Sequence, residues 1–248
     1  MKRATLSRLF AVVAAMFVFP AAAAARSASK GLDLGPLGHA GGSAPWNIVV
    51  LLTVLTLLPA IVLSMTPFVR LLVVFHFLRQ ALGTQTTPSN QTLIGLSLIL
   101  TFFLMQPVGA AINQAAIVPY EHGETDMMGA LELASSPVRN FMLRYAREKD
   151  LALFLALSRE PKPAQPEDLP MRVVAPAYLI SELKAGFQIG AALYLPFLVV
   201  DMAVAAITTS VGMLQLPPVV ISTPLKILLF VMVDGWNLLV GSLMKSFT

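Results

Sequence analysis

The chain has 248 residues, 56% of them hydrophobic and only 12% charged, with a mean hydropathy of +0.76 and a formal charge of +4. Soluble domains carry about 25% charged residues, so this balance points to a membrane protein or a subunit of a membrane complex. The absence of cysteine excludes disulfides, thiol catalysis and cysteine metal sites, and three scattered histidines (His39, His76 and His122) make no metal cluster.

The N-terminus reads as a cleaved secretory signal over 1–25. Lys2, Arg3 and Arg8 precede the apolar run Leu9 to Phe19, Pro20 breaks it, and Ala21 to Ala25 supply small residues for cleavage. A run of this length is too short to cross a bilayer. Its removal takes away three positive charges, so +4 falls to +1, and the main argument for a nucleic-acid partner goes with it. Residues 26–45, rich in Gly, Ser, Ala and Pro, read as a flexible mature N-terminus.

A first apolar helical hairpin is expected over 46–119. Trp46 to Met65 is uncharged and long enough to span. Arg70 and Arg79 follow, then the polar turn Gly83 to Gln91, then the uncharged run Thr92 to Pro119. Residues 120–172 differ in character, with 9 of the 13 acids and 7 of the 17 bases. With the signal cleaved, the mature N-terminus lies outside, the Arg70–Gln91 loop inside and 120–172 outside. Two arginines without acids on the inner side fit the positive-inside rule.

Ser136 followed by Pro137 reads as a helix start, with a helix running to about Leu157. Val138, Phe141, Met142 and Tyr145 form one apolar stripe on it. Phe141 and Phe154 are separated by about 220° of helical rotation. They share a face only if the helix breaks, and a break near Asp150 is expected.

A second apolar hairpin is expected over 173–248, with a loop at 210–218 reading Ser-Val-Gly-Met-Leu-Gln-Leu-Pro-Pro. Glu182, Lys184, Asp201, Lys226 and Asp234 interrupt it. A charge at bilayer centre costs roughly 2.5–3.5 kcal/mol on insertion scales, so these helices are expected to face protein or water. Asp201 and Lys226 both lie roughly 12–14 Å from the loop tip at about 1.5 Å per residue. At that common height they can form an ion pair, within one helix pair or between subunits.

Four stretches carry a family resemblance: "MTPFVRLLVVFHFLRQALGTQTTPSNQTLIGLSLILTFFLMQPV", "FMLRYAREKDLALF", "PAYLISELKAGFQIGAALYLPFLVVDM" and "PLKILLFVMVDGWNLLVGSL". In order, across about 46–247, they resemble the flagellar biosynthetic FliP family, related to the virulence-type proteins. The resemblance implies a core subunit of a type III protein export gate in the inner membrane, within the flagellar basal body. Five FliP copies would join FliQ and FliR, and other export-apparatus membrane components, in a helical cone around a channel for unfolded rod, hook and filament subunits. It also implies that the apolar hairpins pack mainly against neighbouring subunits, much of the assembly lying on the periplasmic side of the lipid.

By the same resemblance, Met213, Leu214 and Gln215 narrow the channel, where many relatives have consecutive methionines. An unbranched thioether repacks around different contours; Gln215 departs from that pattern. Phe141 and Phe154 are expected to face the lumen near this constriction. Arg147, Glu182, Asp201 and Lys226 fall in the matched stretches, and inter-subunit pairing or gating is expected of them. No cofactor is implied, and no nucleotide site is recognisable, so the driving energy comes from elsewhere; the resemblance implies an associated ATPase and the proton-motive force. The alternatives are a virulence-type gate subunit and a small-solute secondary transporter, although no internal repeat supports the transporter. A membrane enzyme would need a paired-acid, Ser/His or metal motif, and Asp234-Gly235 alone is not one.

Overall fold

The computed structural model describes residues 44–159, 165–212 and 217–247. Among them every long element is an α-helix and the fold is all-α. The chain divides into two compact units, 1–56 and 57–248. Helix α1 (Ala44–Ser64) carries the first unit's described residues and continues into the second. The signal segment expected over 1–25 and the flexible stretch that follows it lie outside the described residues.

Pro67 stands just before α2 (Phe68–Ala81), where a missing N–H costs nothing. α3 runs from Asn90 to Glu121. It starts on Ser89, whose hydroxyl accepts from the Thr92 amide at 3.2 Å. It widens into a π-turn at Asn113–Ile117, soon after the internal Pro107. α4 (Met127–Tyr145) and α5 (Glu148–Ser158) cover the charged segment. α6 (Met171–Ser210) has 40 residues, and α7 (Pro218–Met232) bends by 66° into α8 (Gly235–Lys245). At the α7–α8 bend Asp234 takes a left-handed φ of 50°, a conformation Asp tolerates better than most residues.

By length and composition α3 and α6 can each cross a membrane, and the broken pairs α1–α2 and α7–α8 would each supply one more span. A first core joins α2, α3, α6, α7 and α8 through Leu71, Val74, Phe75, Leu78, Leu93, Phe197, Phe230 and Leu243. A second joins α4 and α5 to the start of α6 through Met142, Leu169, Val173, Val174 and Tyr178. In the first core α2 and α6 approach closely. A Cβ added at Gly186 would meet Val73 at 3.1 Å, and one at Gly190 would meet the Phe77 ring at 2.5 Å. Two glycines one turn apart therefore form the groove that seats Val73 and Phe77.

Two sequence expectations are corrected. The helix expected to start at Ser136–Pro137 begins ten residues earlier. Asp126 caps it by accepting from the Gly129 amide at 2.9 Å, and Pro137 sits in its interior. A side-chain cap and the second core hold this helix despite the interior proline. Arg70, expected at the edge of an inner loop, instead lies within α2 and is buried. Arg79 then carries the positive-inside argument for the 82–89 turn alone.

Candidate functional site

Three polar knots tie the helices together. In the first, the Arg70 guanidinium of α2 pairs with Glu182 of α6 at 2.5 Å, with side-chain exposures of 7% and 0%. The same guanidinium donates to Ser246 Oγ at 3.1 Å and lies 3.9 Å from the centre of the Phe247 ring. One arginine thus joins α2, α6 and the segment after α8. Such sharing is available to a planar fork of donors and not to an ammonium. A buried pair of this kind fixes register more surely than it adds stability.

The second knot sits where α4 gives way to α5. Ala146 and Arg147 adopt extended backbone, with ψ of 134° and 141°. The Arg147 amide left open by this break donates to Ser181 Oγ of α6 at 3.0 Å. The Arg147 side chain donates to Asp150 Oδ2 at 2.9 Å, and Ser181 Oγ donates to the same oxygen at 2.6 Å. Burial alone would raise the Asp150 carboxyl. The hydrogen bonds from Ser181 and Arg147, with the charges of Arg147 and Lys184, outweigh burial and hold it below the ordinary value of 3.8.

The third knot is the α6–α7 pair. Lys226, almost fully buried, meets Asp201 Oδ2 at 2.5 Å, and Ser222 Oγ donates to Asp201 Oδ1 at 2.6 Å. Between these helices Gly212 takes a left-handed φ of 79°, with its amide bonded to Thr209 O at 3.0 Å. Glycine is the residue that ends a helix this way at least strain. Met213, Leu214 and Gln215, expected at the constriction, lie outside the described residues.

The four charged residues singled out from sequence thus all find partners inside their own chain. Arg70, Asp150, Ser181 and Ser222 complete the sets; from sequence Arg70 had a place in the topology and Asp150 a helix break, but none of the four was named as a site residue. A lone arginine in an otherwise apolar stretch was itself the signal for Arg70; the two serines carry no comparable mark.

Phe141 and Phe154 sit on different helices, and both are half-buried against the second core. The break that brings them to one cluster lies at Ala146–Arg147, a few residues before the expected position near Asp150. The Phe141 ring lies 5.0 Å from Tyr145 and 6.1 Å from Tyr178 between ring centres. Tyr145 continues to Phe247, with ring centres 5.2 Å apart, and its hydroxyl donates to the Phe247 carbonyl at 2.5 Å. Beside Phe141 is a crevice of about 620 Å³ between α3 and α4, walled by Leu104, Pro107, Val108, Asn140, Arg144 and Phe247.

These features define an all-helical membrane protein whose charged side chains hold helices together. Among the described residues no group of three His, Asp or Glu could hold a metal ion. A FliP family model matches residues 51–243, and the chain belongs to the FliP family. It is 48% identical over 219 residues to a flagellar biosynthetic protein FliP of Pectobacterium carotovorum subsp. carotovorum, covering 88% of this chain and 85% of that protein. It is 46% identical to the Bacillus subtilis (strain 168) protein of the same name, covering 83% and 93% of the two chains. With the Caulobacter vibrioides (strain ATCC 19089 / CIP 103742 / CB 15) protein of that name, identity is 44%, covering 100% and 92%.

Proposed function

We propose that this chain is a core channel subunit of the flagellar type III protein export gate. In this reading it acts with further copies of itself, with FliQ and FliR subunits, and with other export-apparatus components in the inner membrane. The observation that carries the reading is membership of the FliP family over 51–243, with relatives that bear the flagellar name. The subunit is not an enzyme. It holds a lumen shut at rest and widens it for unfolded rod, hook and filament subunits, with energy supplied by other components. The assembly is a cone of five such copies with much of its bulk on the periplasmic side, reached after removal of the signal over 1–25. Relatives of flagellar name leave neither the virulence-type gate nor a small-solute transporter favoured.

Met213, Leu214, Gln215, Phe141 and Phe154 form the constriction in this proposal. Its physical support is the α4–α5 break, which lets two phenylalanines on separate helices converge on one cluster. Arg147, Glu182, Asp201 and Lys226 serve gating, and their partners within the chain favour this over pairing between subunits. The test is small-solute leakage from cells carrying the complete assembled apparatus. Replacing Met213, Leu214 and Gln215 with glycine is expected to raise leakage with assembly intact. Equal leakage from the replaced and the original protein would reject the constriction.

A further inference from the structure

The Phe141 ring stands at the wall of a crevice. Tyr145 and Tyr178 contact it at 5.0 and 6.1 Å between ring centres, and Tyr145 lines the same α3–α4 crevice of about 620 Å³. A phenylalanine ring has two side-chain torsions and prefers staggered positions of the first. The crevice provides volume for a second one.

What fixes Tyr145 in turn is the segment after α8. Its hydroxyl donates to the Phe247 carbonyl and its ring packs edge-on against the Phe247 ring. Phe247 is only 7% exposed. The Arg70 guanidinium lies on its face and also donates to the neighbouring Ser246, while pairing with Glu182. Contacts therefore run without a gap from the buried ion pair through Ser246–Phe247 and Tyr145 to Phe141.

We infer that Ser246–Phe247 is a strap that positions the Phe141 ring, acting through Tyr145. With the strap seated, Tyr145 stands against Phe141 and keeps its ring at the crevice wall. With the strap released, Tyr145 loses its hydrogen bond and its edge contact, and Phe141 turns toward the crevice. Phe247 and Tyr145 are positioning residues for a constriction that Phe141 helps to form, so the inference rests on the function proposed above.

The experiment uses cells with the full export apparatus and reads small-solute leakage, alongside the amount of assembled complex on native gels. Phe141→Ala sets the reference. Tyr145→Phe, which keeps the ring and removes the hydroxyl, and Phe247→Ala are both expected to raise leakage with assembled complex undiminished. Loss of one aromatic contact corresponds to roughly a two- to tenfold shift in the population of the turned ring. Phe247→Leu, which keeps apolar bulk, is expected to restore part of the effect, and Phe141→Ala with Phe247→Ala is expected to leak no more than Phe141→Ala alone. A purely structural strap would lower assembly and would not show that lack of additivity. If Phe141→Ala leaks while Tyr145→Phe and Phe247→Ala do not, or if the double variant leaks as the product of the singles, the strap inference falls and the constriction stands. If Phe141→Ala does not leak, Phe141 has no place in the constriction and the inference falls with it.

Discussion

Replacing Arg70 by lysine keeps the positive charge and discards the planar fork, so it separates two accounts of the buried knot. If charge alone matters, lysine still faces Glu182 and little changes. The geometry argues otherwise, because Arg70 holds Glu182, Ser246 and the Phe247 face at once. Lysine loses the Ser246 hydrogen bond, about 1 kcal/mol, and the stacking on Phe247, about 0.5–2 kcal/mol in a desolvated setting. The expected loss is about 1.5–3 kcal/mol. At roughly 2–4 °C per kcal/mol for a chain of this size, the thermal midpoint should fall by roughly 3–12 °C. Glu182→Gln leaves a buried cation uncompensated and should cost more, about 3–5 kcal/mol. The assay is thermal unfolding of the purified protein in one fixed detergent, with Phe247→Leu completing a double-mutant cycle. Arg70→Lys and Phe247→Leu remove a shared contact, so their effects should fall short of adding. A midpoint for Arg70→Lys within about 1 °C of the original protein, below the range expected here, would refute the reasoning. Full additivity would also refute it.

Three further outcomes follow from the other contacts. Reversing one charge of the third knot, by Asp201→Lys or Lys226→Asp, sets like charges together in a partly buried site and should block assembly seen on native gels. The exchanged pair should recover it in part only, since Ser222 loses its acceptor; normal assembly in a single reversal would sink the pairing. The Asp150 carboxyl is held below its ordinary value of 3.8, so its contribution is fully present above that value and lost as pH falls through the lower folded one. With a cysteine introduced at half-buried Leu151 in this cysteine-free chain, thiol-labelling rates corrected for thiolate fraction should show α5 docked down to about pH 4 and loosening only below it. Loosening already by about pH 6 would contradict the assignment. Gly190→Ala places a methyl into the Phe77 ring and should destabilise by about 1–3 kcal/mol in detergent unfolding, with partial rescue by Phe77→Leu. No change on Gly190→Ala would mean that α2 and α6 are less tightly apposed.

The parts of this fold legible in the sequence are those written locally. The polar turn before α3, the glycine and proline stops around 212–218 and the change in character at 120 are each set by a few adjacent residues. The Asp201–Lys226 pair was legible because both residues can be measured from one loop. Arg70–Glu182 was not, because a partner 112 positions away is selected by helix packing and no local periodicity encodes it. The α4 start was misread because Ser-Pro is a strong local signal. Packing of Met142 and the Asp126 cap outweigh it, although an interior proline removes a hydrogen bond and crowds the carbonyl four residues before it, at about 3 kcal/mol. The α4–α5 break was anticipated from the angular separation of two phenylalanines. Its position was fixed by Ser181, a residue of another helix, which receives the Arg147 amide.

The length of α6 has a further consequence. Its 40 residues measure about 60 Å at 1.5 Å each, twice the roughly 30 Å of a bilayer's hydrocarbon. Tilted by about 40°, the upper end for such helices, it still extends about 46 Å along the normal. At least a third of this rod therefore stands clear of oil. Yet Phe187, Leu195, Val199, Met202 and Ile207 remain open along it. From Phe187 to Ile207 they cover about 30 Å of helix, one hydrocarbon thickness, whereas the end from Met171 to Gly186 buries Val173, Val174, Tyr178 and Glu182 within the same chain. One rod thus needs two coverings, lipid along its open stretch and its own chain along the rest.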